Sequence, residues 1–576
     1  MTQRYLVAIP RRASLPAFEA IARIDDRWVQ DVRCCAAGKM TIIRSIDLPV
    51  HVLANGKIVF GDMFESVDDG DASGSGACTP PHWGSRIEFT FREEDVSVYR
   101  DPSGQRSLFH FMSRNHVILC SDWRIARDLA GFVPDIDWDP VINLVVTPGF
   151  HSHRTGLRGF NEILPGEILT ISDGQLTTRL KWSPAIFEAQ RNRSRRIDPI
   201  IAASSLRRTV EVTVEAMTAR YRRPVLELSG GLDSSILAAA LARCRDDFVC
   251  LNYVTASADG DEREQARDVT RHLGLRLIEA ERDIARIDLS YSAAADLPRP
   301  SSRAFTQESD RLSLEVAGDV GGDCFLSGGG GDSIFFSTPS ATPLQDRLWA
   351  GQFGPQTFST MLDIAEIADR TCWWALKRAL TGRRRIPQPT LDFLGPNAIA
   401  LVRSGPGHPW LDSLRGTSAG LKAHVETVAG IGGHLLGFER ARSFPLLFPL
   451  MAQPVMEKCL SIPGWLWALD GYDRSLVRRA FASALPNNIV FRRSKGRLDL
   501  FGRALFQSRH QQIRDMLLGG ILAQNGLVHA GDIEAEMARA GSGRDYRFYR
   551  LLELVDVEAW ARSIMASVAV VSATRA

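Results

Sequence analysis

At 576 residues, 45% hydrophobic and 24% charged, the chain exceeds one ordinary core and has the composition of a globular protein of two or more domains. Its 69 basic and 67 acidic residues give no overall pull toward nucleic acid or an anionic membrane, and no apolar run reaches membrane-spanning length. Nine cysteines without a Cys-x-x-Cys pair argue against a disulfide framework; with an initial apolar run too short for a secretory signal, they point to the cytoplasm.

From Tyr5 to about Trp182 the pattern is mostly β. Short strands are expected at Tyr5 to Ile9, at His51 to Leu53 before an Asn55-Gly56 hairpin turn, and at Ile87 to Phe91, Val96 to Tyr99 and His116 to Cys120. The stretch Glu65 to Gly84, rich in Asp, Gly, Ser and Pro, predicts a mobile loop. Ser183 to Pro199 is polar, basic and proline-bounded, which predicts a linker over 183–199 between a domain of residues 1–182 and another of 200–576. The basic runs Arg191 to Arg196 and Arg383 to Arg385 read as solvated loops. Beyond the linker the period changes. A helix over Ser205 to Ala219 is followed by the run PVLELSGGLDSSILAAALAR, a strand at Phe248 to Val254, a helix from Asp261 to Leu273 stopped by Gly274, and a strand at Leu275 to Glu279. This alternation predicts βαβ units and a parallel sheet that binds ligands at the carboxyl ends of its strands. The segment after Leu500, through Tyr546 to Ala566, predicts amphipathic helix and nothing catalytic.

Two glycine loops carry the chemistry. In the first, Leu228 ends a strand, Ser229-Gly230-Gly231 makes the turn, and Asp233, Ser234 and Ser235 open a helix. Free backbone N–H groups and the positive helix end then meet at one point, which suits phosphate. Leu232-Asp233 stands where a Walker loop needs Lys-Ser/Thr, so the pattern is not that of a simple P-loop NTPase. The second loop, Ser327, Gly328 to Gly331 and Asp332, also follows a predicted strand. His151 and His153 read as loop histidines without a third metal ligand; Trp373, Trp374, Trp465 and Trp467 read as core or groove wall.

SGGLDSS resembles the pyrophosphate loop of ATP pyrophosphatases, and with SGGGGD it resembles the asparagine-synthetase family. The resemblance implies that Leu228, Ser229, Gly230, Gly231, Asp233, Ser234, Ser235, Val254, Ser327 and Gly328 hold ATP, and that Asp233 and Asp332 bind magnesium. Between Tyr99 and Trp182, the segments YRDPSGQRSLFHF, LCSDWRIARDLAG, RTGLRGFNEILPGEILTISDG and LKW resemble the glutaminase-like domain of asparagine synthetases. They imply an N-terminal Ntn-type β sandwich joined to a C-terminal parallel-sheet ATP pyrophosphatase domain with a helical tail. Within them Arg100, Asp101, Gly104 and Ser121 are read as structural. That domain's amidotransferases use an N-terminal cysteine; Thr2 stands in its place here, so an inactive scaffold is expected.

Asparagine synthetases carry glutamate, and β-lactam synthetases tyrosine, where this chain has Gly329. Glycine there, with RSFPLLFPLMAQPVMEKCLSIPGWL, GYDRSLVRRAFASALP and FRRSKG, most resembles the lasso-peptide macrolactam synthetases. That resemblance implies adenylation of an Asp or Glu side chain in a leader-free precursor peptide, followed by attack of the peptide's own N-terminal amine. It implies Lys495 as the catalytic cation, a leader peptidase and a leader-recognition protein as partners, and neither nucleic acid nor membrane. An ammonia-dependent amide ligase on a small molecule, an RNA-modifying ATP pyrophosphatase and a non-catalytic scaffold stay open as alternatives. The base that deprotonates the amine is not identified; His434 and Glu439 precede the FPLLFPL stretch without being placed by it.

Overall fold

The computed structural model describes residues 3–575 apart from 13, 22–25, 36–37, 67–81, 93–94, 256–260, 338, 383–389, 404, 406, 494–498 and 540–546. Most of the loop expected over Glu65 to Gly84 lies outside these residues, and its ends pair as short strands, Phe64 with Trp83 and Glu65 with His82.

The N-terminal part stacks two six-stranded antiparallel sheets. In the first, Tyr5–Pro10 lies between His116–Cys120 and Gly38–Ser45. In the second, Asp95–Arg100 lies between Arg86–Phe91 and Glu167–Ser172. The period-two pattern of the first strand divides two cores. Tyr5, Val7 and Ile9 enter the inter-sheet layer with Phe60, Ile87 and Val98. Leu6 and Ala8 face the other way, into a cluster with Trp123 and Ile142 from the helices Trp123–Ala130 and Trp138–Val146. That cluster continues into Leu551, Val555 and Trp560 of the terminal helix Arg547–Arg575. The tail is therefore a shared layer: Arg550 donates to the carbonyl of Val145, and the Trp560 indole to that of Leu297.

The C-terminal sheet has five parallel strands in the order Leu277–Glu281, Val249–Val254, Pro224–Glu227, Cys324–Leu326, Leu446–Leu447. The inner strands Val249–Val254, Pro224–Glu227 and Cys324–Leu326 are covered on both faces and are largely apolar, whereas the edge strand Leu277–Glu281 is half-exposed and carries two glutamates. Leu226 packs on the side of Ile236 and Leu237, and Val225 on the side of Val316 and Phe325. The chain runs outward from Pro224–Glu227 in one direction, then returns to add Cys324–Leu326 on its other side. The crevice between those two strands is the topological switch point.

Four expectations are corrected. The run Arg191 to Arg196, read as a solvated loop, begins inside the helix Phe187–Arg193, where Phe187 and Arg191 are buried. Arg191 donates to the carbonyl of Leu460 and to Nδ1 of His424, so its guanidinium staples the segment to the C-terminal core. The next helix starts at Pro199, earlier than expected, because Asp198 accepts from the N–H of Ile200 and proline suits a first helical position. The strand expected from Leu275 begins at Leu277, since the N–H of Leu275 is used on Thr270 O to close the preceding helix beside the left-handed Gly274. Trp465 and Trp467 are core as expected, but Trp373 is 79% exposed. No helix among the described residues is long and apolar enough to cross a membrane.

Candidate active site

Both glycine loops leave the carboxyl ends of adjacent central strands and meet over the switch point. After Leu228, Ser229 and Gly230, the chain enters the helix Leu232–Cys244 with Gly231 as its N-cap. The turn is held from within: Gly231 N–H donates to Ser229 Oγ (3.2 Å), and Ser229 and Ser234 hydroxyls lie 3.2 Å apart. Ser235 is fully buried and its hydroxyl donates to Gly231 O (2.7 Å), so it fixes the first helical turn. Leu228 and Val254 end neighbouring strands as buried apolar walls. The carbonyl of Leu228 accepts from the buried Asn252 amide (2.7 Å).

The second loop is laid directly on the first. A Cβ at Gly328 would lie 2.9 Å from Ser234 N, and one at Gly331 would lie 2.3 Å from Asp233 Cγ. Only glycine permits that approach. Ser327 receives its position from the sheet, its N–H donating to Leu447 O (3.1 Å), and its Oγ accepts from Gly329 N–H (3.3 Å). Behind the loop, His424 Nε2 bonds Ile334 O (2.8 Å) and the Thr427 hydroxyl donates to Ser333 O (3.1 Å). His424 is fully buried and its pKa is driven well down, first by burial and then by Arg191, so the ring is neutral and serves as a strut.

Asp233 and Asp332 converge. Arg474 Nη1 lies 3.1 Å from Asp233 Oδ1 and 2.5 Å from Asp332 Oδ1, so both carboxylates reach one positive point. Arg474 Nε also donates to Asp473 (3.0 Å), which is bonded in turn by Arg478 (2.9 Å) and Ser337 (2.8 Å). Burial opposes the Arg474 charge, but the three aspartates outweigh it and raise its pKa. Hard oxygen ligands gathered around a single cation position are what magnesium with a triphosphate requires, so Asp233 and Asp332 fit the metal. Among the described residues no cluster of three or more His, Cys, Asp or Glu forms a closed protein cage.

The sequence reading missed Arg474. It also missed Gln105, whose side-chain amide pairs with the backbone of Phe448: Nε2 donates to Phe448 O (3.2 Å) and Oε1 accepts from Phe448 N–H (3.4 Å). The Phe448 ring in turn covers Gly329, 3.0 Å from where a Cβ would stand, with Leu435 at 3.3 Å. A residue of the N-terminal sandwich thus positions an aromatic ring on the phosphate loop. His151 and His153 prove to be partners of buried carboxylates, His151 Nδ1 lying 3.4 Å from Glu162 and His153 Nε2 bonding Glu167 at 2.9 Å, so neither belongs to this site. Lys495 and Thr2 lie outside the described residues.

No curated protein matched the chain. Among solved structures, one titled as the allosteric regulatory enzyme of purine biosynthesis matches at 10% identity over 57% of this chain and 83% of its own, with a TM-score of 0.16. Glutamine phosphoribosylpyrophosphate amidotransferase from B. subtilis, complexed with ADP and GMP, matches at 12% identity over 57% and 84%, with a TM-score of 0.17. Neither superposition is close, and the architecture rests on the strands and helices described above. The Asparagine synthase family matches residues 205–391 and 438–562, a span that includes both glycine loops and Arg474. That match covers more than half of the chain, which makes the protein an ATP-dependent, AMP-forming carbon–nitrogen ligase belonging to the asparagine synthase family.

Proposed function

We propose that this ligase closes a macrolactam in a leader-free lasso precursor peptide. A side-chain carboxylate of the peptide attacks the α-phosphorus of ATP, pyrophosphate leaves, and the peptide's N-terminal amine displaces AMP from the acyl-adenylate. Bound magnesium would neutralise the triphosphate, held by Asp233 and Asp332. The chain's own groups do the rest: the N–H groups around Ser229 to Gly231 receive phosphate oxygens, Ser327 and Gly328 cover them, and Lys495 steadies charge at the reacting centre.

The observation that carries this reading is Gly329 under Phe448 and Leu435. The two side chains crowd the place from which a glutamate or tyrosine would project in the small-molecule enzymes of the family. An apolar surface lies there instead. Separately, a cavity of about 350 Å³ is walled by Leu144, Pro148, Phe305, Phe501 and Val557 and bordered by His434, next in the chain to Leu435. A volume of that order suits part of a peptide. His434 is a candidate for the proton acceptor: burial and then Arg303 lower its pKa, which keeps the imidazole neutral.

The test is incubation with ATP, magnesium and synthetic leader-free peptides that carry a free N-terminal amine and an internal Asp or Glu. The expected result is AMP and a product lighter by one water. Production of asparagine from free aspartate and ammonia, without peptide turnover, would instead establish the small-molecule ligase; tRNA-dependent adenylation would establish the RNA-modifying one.

A further inference from the structure

The strip from Leu446 to Met451 lies along the second glycine loop. Leu447 O accepts from Ser327 N–H, the Phe448 ring covers Gly329, and Met451 Cγ and Sδ stand 2.5 Å from where a Cβ at Gly330 would be. Phe448 is held at both of its backbone polar groups by one side chain of the N-terminal sandwich: Gln105 Nε2 donates to its carbonyl (3.2 Å) and Gln105 Oε1 accepts from its N–H (3.4 Å). A carboxamide carries donor and acceptor side by side, which is what those two groups require. Gln105 is itself braced. Arg100, 1% exposed, donates to the carbonyls on either side of it, Gly104 O and Arg106 O (both 2.8 Å), and to Glu162 Oε1 and Ile163 O (both 2.7 Å). Glu162 is fully buried and is bonded as well by Arg299 of the C-terminal half.

We infer that Gln105 is a positioning residue for the nucleotide: acting through Phe448, it sets the second glycine loop over the triphosphate, so that nucleotide binding in the C-terminal domain depends on a side chain of the sandwich. The inference rests on the assignment of that loop to phosphate and not on the identity of the acceptor substrate. Gly328 to Gly331 are four glycines in succession, the backbone with most conformational freedom to lose when a ligand is bound. A loop already held from outside by Phe448 and Met451 has lost part of that freedom beforehand, which strengthens binding. The sandwich then has a task in a chain whose Thr2 stands where an amidotransferase carries its cysteine.

The experiment uses the full chain and measures its affinity for magnesium α,β-methylene-ATP by calorimetry, with no acceptor substrate. Gln105→Leu keeps most of the side chain's volume and removes both hydrogen bonds; it is expected to weaken binding on the order of tenfold, as loss of one to two neutral hydrogen bonds implies. Gln105→Glu tests the geometry. Protonated, its carboxyl donates and accepts as the amide does; ionised, it only accepts and sets a negative charge against the Phe448 carbonyl, which also raises its pKa above the usual carboxylate range. Its affinity relative to wild type at the same pH should therefore be close to one at pH 5 and fall to the level of Gln105→Leu by pH 8, a change that packing alone would not produce. Phe448→Ala completes a double-mutant cycle: adding Gln105→Leu to it should weaken binding by less than about twofold further, because the ring through which Gln105 acts is already gone. Circular dichroism and thermal melting show whether each variant is folded at the assay temperature; should Phe448→Ala not be, the pH profile of Gln105→Glu decides. Wild-type affinity in Gln105→Leu, a Gln105→Glu ratio independent of pH, or full additivity in the cycle overturns the inference and leaves Gln105 an interdomain contact. No binding by wild type overturns it together with the assignment of the loops to nucleotide.

Discussion

A methyl group at Gly331 would lie 2.3 Å from Cγ and 2.6 Å from Cβ of Asp233, so the carboxylate would have to leave its place. Gly331→Ala should therefore abolish AMP formation while leaving the thermal midpoint nearly unchanged; retained turnover would mean that the loops need not touch. Gly329→Glu supplies the asparagine-synthetase residue, yet its Cβ meets the Phe448 ring at 3.0 Å. We expect loss of peptide cyclisation without gain of asparagine formation, and a stability cost of about 1–3 kcal/mol from overpacking, read by urea denaturation. Lys495→Met should lower peptide-dependent turnover on the order of a hundredfold with the apparent ATP affinity unchanged, and Lys495→Arg should restore only part. Turnover within about threefold of wild type would correspond to less than ~1 kcal/mol and would return Lys495 to the solvated surface. The glycines, serines and aspartates of the loops were legible in the sequence because each residue type answers a local requirement of turn, cap or charge. Arg474 was not. It stands in GYDRSLVRRAFASALP close to Arg478 and Arg479, with nothing local to single it out, and its partners are 241 and 142 residues away.

At the level of elements, five strands of the N-terminal half were visible as short runs bounded by turn residues, and the βαβ units through the change of period. What could not be read was which polar residue would be buried by an element distant in sequence. Arg191 reads as solvated until His424 and Leu460 close over it. Arg440 reads as a loop cation, yet it is 2% exposed and bridges Glu227, at the end of the central strand, to Asp310 on the helix Gln307–Val320. Tyr253 donates to the same glutamate (2.8 Å), so one guanidinium ties the strand below the first loop to its covering helix. Arg440→Leu should destabilise the protein by about 3–5 kcal/mol, the cost of leaving buried carboxylates uncompensated, measured by chemical denaturation. A change under ~1 kcal/mol would show that water reaches Asp310.

For the whole molecule, the junction between halves is titratable as well as apolar. Asp556, on the terminal helix, is buried and accepts from Ala304 N–H (3.1 Å); burial is the main cause that lifts its pKa to about 7. The unfolded carboxyl titrates near ~3.9. Between these values the folded chain keeps a proton that the unfolded chain has released, so this group's contribution to stability falls as pH rises through about 4 to 7 and stays low above. Asp556→Asn can still accept from Ala304 and removes the titration. Its melting-temperature advantage over wild type should grow from pH 5 to pH 8; a constant difference would place the carboxyl in contact with solvent.

The terminal helix that covers the helices of the sandwich also has a consequence for synthesis. Leu551, Val555 and Trp560 belong to the last helix, whereas Trp123, Ile142 and Val145, which share their core, are among the first 150 residues translated. At roughly 5–20 residues per second, the early helices wait on the order of 20–80 s for the partner that dries them. A ribosome-bound chain stalled ahead of Arg547 should therefore engage a chaperone selective for exposed apolar surface, and release it once the tail has emerged. The order of translation, and not only the final contacts, sets when this molecule is at risk of aggregation.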